Sequence, residues 1–259
     1  MMSHTVMIFL GLLLVWAYLH WRRERRYGWA IAIGVIAGWA AITRPVDAIC
    51  WAAPVGLAIL FDLRGHPPRQ WFTTIALIVA AAVPLLAVQV VLNYGVTGNA
   101  LKTPYRLYCD LFVPGISFGF HEPDPSIQLQ TAVVQKQVYY DVFAASVSEE
   151  HNRGSLLDTW IRERFPSFIF YTVRTPLLVP LLFASVLALR GRRWALWLTV
   201  PLFIASYALF AYFIPNYIAV FIAPTVYATL LGVRATIDSF PAASQRLETF
   251  FFGALTVLA

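Results

Sequence analysis

"GWAIAIGVIAGWAAITRPVDAICWAAPVGLAILF", residues 28–61, consists of two apolar runs divided by one polar turn around Arg44, Pro45 and Asp47. Each run approaches the roughly 20 residues that a helix needs to cross the hydrocarbon of a bilayer. Pro45 lacks a backbone donor and restricts the residue before it, so one helix should stop at Thr43 and another begin just after Arg44. The stretch reads as two membrane helices joined by a tight turn at the membrane surface.

Composition extends this reading to the whole chain. Of its 259 residues, 59% are hydrophobic and only 12% are charged, with a mean hydropathy of +0.68. Soluble domains carry about 25% charged residues, so this chain cannot clothe a water-facing surface and is expected to be an integral membrane protein. The net charge of +6 does not indicate a nucleic-acid partner. The basic residues form no stripe or tail; they sit in short clusters between apolar runs, as membrane topology requires. Cys50 lies in an apolar run and Cys109 in a polar segment, which suits neither a disulfide nor a metal site. In "MMSHTVMIFLGLLLVWAYLHWRRERR" the charges follow the apolar run and no small-residue cleavage site is present. That pattern fits a first span with the N-terminus outside, and not a signal peptide.

Spans are expected near 5–21, 27–43, 47–62, 71–94, 166–189, 194–214 and 217–233. An eighth begins at Thr249, but the 11 residues to Ala259 cannot cross. The expected fold is an all-α polytopic bundle of about seven to eight spans with one external segment of mixed loop and helix. Residues 1–95 carry spans 1–4, 96–165 form the external segment, and 166–259 carry the remaining spans.

The linkers assign the sides. Arg22, Arg23, Arg25 and Arg26 follow span 1, Arg64 and Arg69 follow span 3, Arg190, Arg192 and Arg193 follow span 5, and Arg234 and Arg246 follow span 7. These alternate linkers hold more than half of the 19 Lys and Arg residues, so they are expected on the cytoplasmic side. The Arg44 turn, "IPNY" and residues 96–165 then face outside. The span interiors carry no Asp, Glu or Lys, and Arg174 is the one ionisable residue set well inside a span. That scarcity argues against an ion-coupled pump.

Within the external segment, "TGNALKTPYRLYCDLFVPGISFGFHEPDP" is dense in Gly, Pro and aromatics and reads as irregular structure. It offers Lys102, Tyr105, Arg106, Asp110, His121, Glu122 and Asp124. Val134, Val138 and Val142 then recur at helical spacing. Leu157, Trp160 and Ile161 oppose Asp158, Arg162 and Glu163, as on a helix lying in the membrane interface. His121 with Glu122 and Asp124 lacks metal-ligand spacing, so no metal and no cofactor are expected. Asp110 and Glu122 read either as general bases or as ordinary solvated carboxylates. Arg162 and Arg164 suit phospholipid headgroups.

Arg44 has two readings. It anchors the turn at the interface, or its guanidinium fork holds a phosphate on the side where a cation is least expected. Asp47, three residues on, either pairs with it or favours the N-terminus of the next helix.

Three stretches together resemble a known family. Residues 28–61 resemble the segment of polytopic glycosyltransferases in which G-x-x-x-G is followed by T-[RK]-[PG] and another span. "LNYGVTGNALKTPYRLY" is similar to their N-Y-x-x-T-G-x-P…P-Y stretch. "FIPNYIAVFIAPTVYATLLGVRA" resembles their late P-H-Y helix, with Asn216 where His is common. The resemblance covers most of residues 27–234 and points to the protein O-mannosyltransferase and aminoarabinose-transferase group, with the GT-C membrane fold. It implies transfer of a sugar from a polyprenyl-phosphate donor on the outer membrane face, with membrane lipid and lipid-linked sugar as partners. In that group the essential carboxylate lies in the first external loop. Here the first outward linker is the Arg44 turn, so the chain resembles the C-terminal two-thirds of such an enzyme. Arg44 corresponds to the family's basic residue, and Lys102, Arg106 and Arg174 are candidates to join it on the donor phosphate, which a departing sugar leaves negatively charged. Two alternatives stand beside this one: a non-catalytic membrane scaffold or assembly subunit, and a transporter or flippase of lipid-linked sugars.

Overall fold

The computed structural model describes residues 2–113, 116, 118–120, 131–144, 146–147, 151, 154, 156–172, 179–211, 215–240, 245–246, 249–250 and 253. Among them the chain is all-α, 84% helical and without a strand.

The first half follows its sequence signals closely. Helix α1 (Met2–Glu24) ends in its arginine run, where Arg22 and Arg23 complement the helix dipole. Helices α2 (Tyr27–Thr43) and α3 (Pro45–Leu63) are separated by one residue, Arg44, whose extended backbone (φ −153°, ψ 92°) breaks the ladder. Pro45 opens α3 at a position where its missing N–H costs nothing. Helix α4 (Pro68–Thr97) likewise opens on a proline and closes on Gly98 in the left-handed region (φ 71°), which glycine adopts without a Cβ penalty.

Four segments are long and apolar enough to cross a membrane: Ser3–Glu24, Pro45–Leu63, Pro68–Thr97 and Asn216–Ser239. Helix α2, with 17 residues, is about 26 Å long, just under a hydrocarbon thickness of about 30 Å. Of the spans expected in the second half, 217–233 falls within Asn216–Ser239, and the other two are not seen as helices of spanning length among the described residues. Residues 166–189 form α7 (Phe165–Thr172), α8 (Val179–Ala184) and a 3-10 turn Ser185–Ala188; residues 173–178 lie outside the described residues. Residues 194–214 begin with α9 (Arg193–Trp197) and α10 (Thr199–Tyr207), joined through Leu198, whose backbone (φ −63°, ψ −21°) stays in the helical region; 212–214 lie outside the described residues. Neither is one continuous helix of spanning length among the described residues. The 3-10 turn Pro215–Phe221 feeds α11 (Ile222–Ser239). Most of the segment beginning at Thr249 lies outside the described residues.

Small residues set the closest helix approaches. Gly34 and Gly38, one turn apart on α2, face α4, the helix with which α2 packs most extensively. A Cβ on Gly34 would strike the Ile78 carbonyl, and one on Gly38 would come within 3.1 Å of the Ala82 backbone. Glycine at this spacing lets two helix backbones approach closely, the usual means of apposing apolar helices in lipid. Gly11 likewise leaves room for the Trp51 indole, and Gly232 of α11 for the Leu181 carbonyl. The core is aromatic: Trp21, Trp51, Phe168, Phe203, Tyr207 and Phe221 are all buried, with Phe203 and Phe221 centroids 4.1 Å apart.

The outer faces of the same helices remain apolar, with Phe9, Trp39, Ile49, Phe72 and Val91 all more than half exposed. Apolar surface spread so widely is more than a soluble monomer leaves uncovered and is consistent with a membrane protein.

Within 96–165 lie α5 (Pro104–Phe112) and α6 (Val134–Tyr139), the latter continued by a π turn Tyr140–Ala144. Val134, Val138 and Val142 do lie on a helical stretch, but all three are exposed. The segment is fastened to the bundle by other residues. Cys109, Val113 and Ile116 pack with Ala144 on Ala211, and Gly119 donates its N–H to the Leu209 carbonyl at 2.8 Å.

Candidate functional site

One polar cluster is buried where α1, the α2–α3 break and α10 meet. Arg44 Nε lies 2.5 Å from Asp47 Oδ2, and its Nη2 donates to the Tyr207 hydroxyl at 3.0 Å. Its Nη1 is 2.7 Å from His4 Nδ1 and 3.0 Å from His4 Nε2, an arrangement that requires an unprotonated ring nitrogen to accept. The Tyr207 hydroxyl donates to Asp47 Oδ1 at 2.6 Å, closing a three-membered ring of contacts. Tyr217 lies under the guanidinium, 5.0 Å from ring centroid to Cζ, and its own centroid is 5.5 Å from that of His4.

Local sequence accounts for this geometry. Pro45 forces Arg44 out of helical backbone, and Asp47 falls on the first turn of α3, where its side chain turns back to Arg44 instead of capping. Asp47 is wholly buried, while 18% of the Arg44 side chain remains exposed. A buried carboxylate of this kind is tolerated because it is paired and hydrogen-bonded.

A second arginine braces the same place. Arg164, 4% exposed, donates from Nη1 to the Tyr207 carbonyl at 2.8 Å and from Nη2 to the Ala211 carbonyl at 3.2 Å. The Tyr207 carbonyl closes α10 and also accepts from the Phe210 N–H at 3.2 Å, and the Ala211 carbonyl lies four residues beyond the helix. Burial lowers the Arg164 pKa from its ordinary value, but a guanidinium starts so high that it stays charged. Arg164 thereby ties the close of the 96–165 segment to the residue that holds Asp47.

The residues singled out from sequence fall into separate groups. Arg44 and Asp47 come together. Lys102 pairs instead with Asp110, Nζ to Oδ2 at 2.8 Å, on an exposed face. Arg106 is exposed, and its backbone N–H is capped by Thr103 Oγ1 at 3.1 Å. Tyr105 projects from α5, largely exposed. Among the described residues neither Lys102 nor Arg106 hydrogen-bonds to Arg44. His121, Glu122, Asp124 and Arg174 lie outside the described residues. Arg162 pairs with Asp158 at 2.6 Å on the exposed face. Cys50 and Cys109 are both buried free thiols, and burial pushes the Cys109 thiol up. No group of metal-ligating side chains occurs among the described residues.

His4, Tyr207 and Arg164 belong to the cluster although their sequence context gives no sign of it. His4 is one residue in the first turn of an apolar helix, and Tyr207 is an aromatic in an apolar run. Tyr217 did carry a signal, as the tyrosine of "IPNY".

Chemically, the cluster holds a cation whose charge is balanced by Asp47, while its two Nη nitrogens meet neutral partners. An oxyanion could approach only that Nη edge, by displacing His4 or Tyr207. Asp47 has both oxygens engaged and orients Arg44; it does not stand open to a substrate hydroxyl. Searches of family models, of curated proteins and of solved structures find no match to this chain. The class the fold defines is thus an all-α chain with helices of membrane-spanning length and one buried Arg–Asp–Tyr–His cluster.

Proposed function

We propose that the chain is the membrane region, or part of it, of a glycosyltransferase that takes a sugar from a polyprenyl-phosphate donor at the outer face of a bacterial inner membrane. In this reading seven to eight segments cross or enter the bilayer, as expected from the apolar runs. The N-terminus and residues 96–165 face outside. Arg44 holds the donor phosphate. The observation that carries the reading is Arg44 itself: a single-residue helix break, with a guanidinium fixed through Nε and neutral partners at its fork. Guanidinium forks match phosphate oxygens in geometry and charge. Further support is that the T-R-P turn and the tyrosine of "IPNY", two separate elements of the family resemblance, meet as a cation–π pair.

No carboxylate is assigned as the base that inverting transfer needs. Asp47 is enclosed and Asp110 is paired with Lys102. The test is binding of an unglycosylated polyprenyl phosphate to the full chain in nanodiscs, comparing Arg44 with Arg44→Lys and Arg44→Gln. Loss of the fork should weaken binding roughly tenfold, the worth of one charge-assisted pair. Unchanged affinity in a folded Arg44→Gln variant would remove Arg44 from any donor site.

A second reading, a non-catalytic membrane scaffold, is favoured by a specific fact: every nitrogen of the Arg44 guanidinium already has a partner inside the protein. On that reading the wild-type chain binds no polyprenyl phosphate, and the same titration separates the two.

A further inference from the structure

A second polar centre lies at the far end of α3. Asp62 is 15 residues beyond Asp47, about 22 Å along the helix. Its side chain is only 6% exposed, accepts hydrogen bonds from two donors and is in ionic contact with a third group, all on two other segments. The Tyr18 hydroxyl reaches Oδ2 at 2.7 Å, Arg192 Nε reaches Oδ1 at 2.8 Å, and Arg22 Nε lies 3.3 Å from Oδ2. Arg25 Nη2 donates to the Asp62 backbone carbonyl at 3.3 Å.

The manner of pairing is informative. Arg22 and Arg192 both meet the carboxylate through Nε. No other hydrogen bond or ion pair to a described residue occupies their Nη nitrogens. Both side chains remain partly exposed, at 44% and 26%. One buried carboxylate therefore immobilises two guanidiniums while leaving their forks available. Phe61 supports the arrangement from beside Asp62, its ring lying 5.5 Å from Arg192 Cζ and 3.9 Å from Arg64 Cζ. The nearby Glu24 does not neutralise these cations, because it is engaged by Arg23, Arg26, His20 and Trp29. Two arginines thus share one carboxylate while a third, Arg25, meets only the Asp62 backbone carbonyl, leaving surplus positive charge at the ends of two helices of membrane-spanning length, α1 and α3.

We propose that Arg22 and Arg192, pinned by Asp62, form a phosphate-binding site that is separate from the Arg44 cluster. Two fixed guanidinium forks suit a phosphate group, since each can give two parallel N–H bonds to its oxygens. The site stands where helix ends meet the headgroup layer, so an anionic phospholipid headgroup and a free phosphate are the two sources of that chemistry. Nothing in the site depends on the glycosyltransferase reading.

The test uses the purified full chain in a neutral detergent, with native mass spectrometry for added dioleoyl phosphatidylglycerol or phosphatidylcholine, and calorimetry for inorganic phosphate. The wild type should retain phosphatidylglycerol about tenfold better than phosphatidylcholine, or bind inorganic phosphate, and the arm that responds identifies the source. Arg22→Gln with Arg192→Gln should abolish that binding, whereas Arg234→Gln, whose side chain is exposed elsewhere beside Asp238, should not. Should the Gln pair fail to fold, Arg22→Lys with Arg192→Lys keeps both charges beside Asp62 and removes only the forks; binding should then fall at least about threefold, as Lys acts as a point charge. Equal retention of both lipids with no phosphate binding, or full binding by either folded double variant, overturns the proposal.

Discussion

Replacing Asp47 by Asn probes the centre of the Arg44 cluster with little change of shape. The Asn side-chain oxygen can still accept from Tyr207, so the substitution removes the negative charge beside Arg44 and sets an amide N–H, itself a donor, against Arg44 Nε. Opposite charges about 4 Å apart at an effective dielectric near 20 attract by about 4 kcal/mol. Arg44 keeps 18% of its side chain exposed and retains its contacts with His4 and Tyr207, so solvent and neighbours recover part of that loss. The net cost should be about 2 kcal/mol, roughly a thirtyfold change in the unfolding equilibrium. Unfolding of the full chain by titrating sodium dodecyl sulfate into mixed micelles, followed by tryptophan fluorescence, measures it. The double variant Arg44→Met with Asp47→Leu removes both charges and should lie within about 1 kcal/mol of wild type, because a buried pair exchanged for apolar residues loses its desolvation cost along with its attraction. Refutation would be an Asp47→Asn variant within about 0.5 kcal/mol of wild type, or single losses that simply add in the double variant, since coupled neighbours do not add.

Three further outcomes are expected. Gly34→Ala should destabilise the chain by about 1–3 kcal/mol in the same titration, because its methyl meets the Ile78 backbone, which cannot step aside; Gly28→Ala, with open space around it, should cost nothing measurable. Arg164→Ala removes two charge-assisted bonds to the Tyr207 and Ala211 carbonyls and should cost about 2 kcal/mol, with faster proteolysis within 131–160 as the readout of a loosened segment. Cys109 should resist maleimide in the folded chain at pH 7.5: burial raises its pKa, so its thiolate fraction lies below that of an ordinary thiol and labelling should climb only at higher pH, whereas in denaturant it should label at the ordinary rate near neutral pH.

The polar centres explain how short-range and long-range information combine here. Helix α3 carries a carboxylate near each end, Asp47 and Asp62, and each captures part of α1: His4 through Arg44 at one end, Tyr18 and Arg22 at the other. These contacts require α1 and α3 to run in the same direction with α2 returning between them, so the register of three helices is fixed by ionic contacts at their ends as well as by packing along their lengths.

The sequence by itself determined the first four helices, because their limits are set by local chemistry. Pro45 and Pro68 suit the first position of a helix, where a missing N–H costs nothing, Gly98 adopts the left-handed backbone that ends one, and the Arg22–Arg26 run cannot enter hydrocarbon. The Arg44–Asp47 pair was legible for the same reason: the two stand three positions apart beside a forced break. Tertiary structure alone decided the rest. Within 179–211 the short helices pack on α3 and α11, a placement that an apolar run does not encode. His4, Tyr207 and Arg164 lie 40, 163 and 120 positions from Arg44, and a lone histidine, a tyrosine in an apolar run and an arginine beside an interfacial stretch look the same whether they meet a charge or face lipid. Charges attract through space, and only the folded path of the chain decides which of them are close enough to do so.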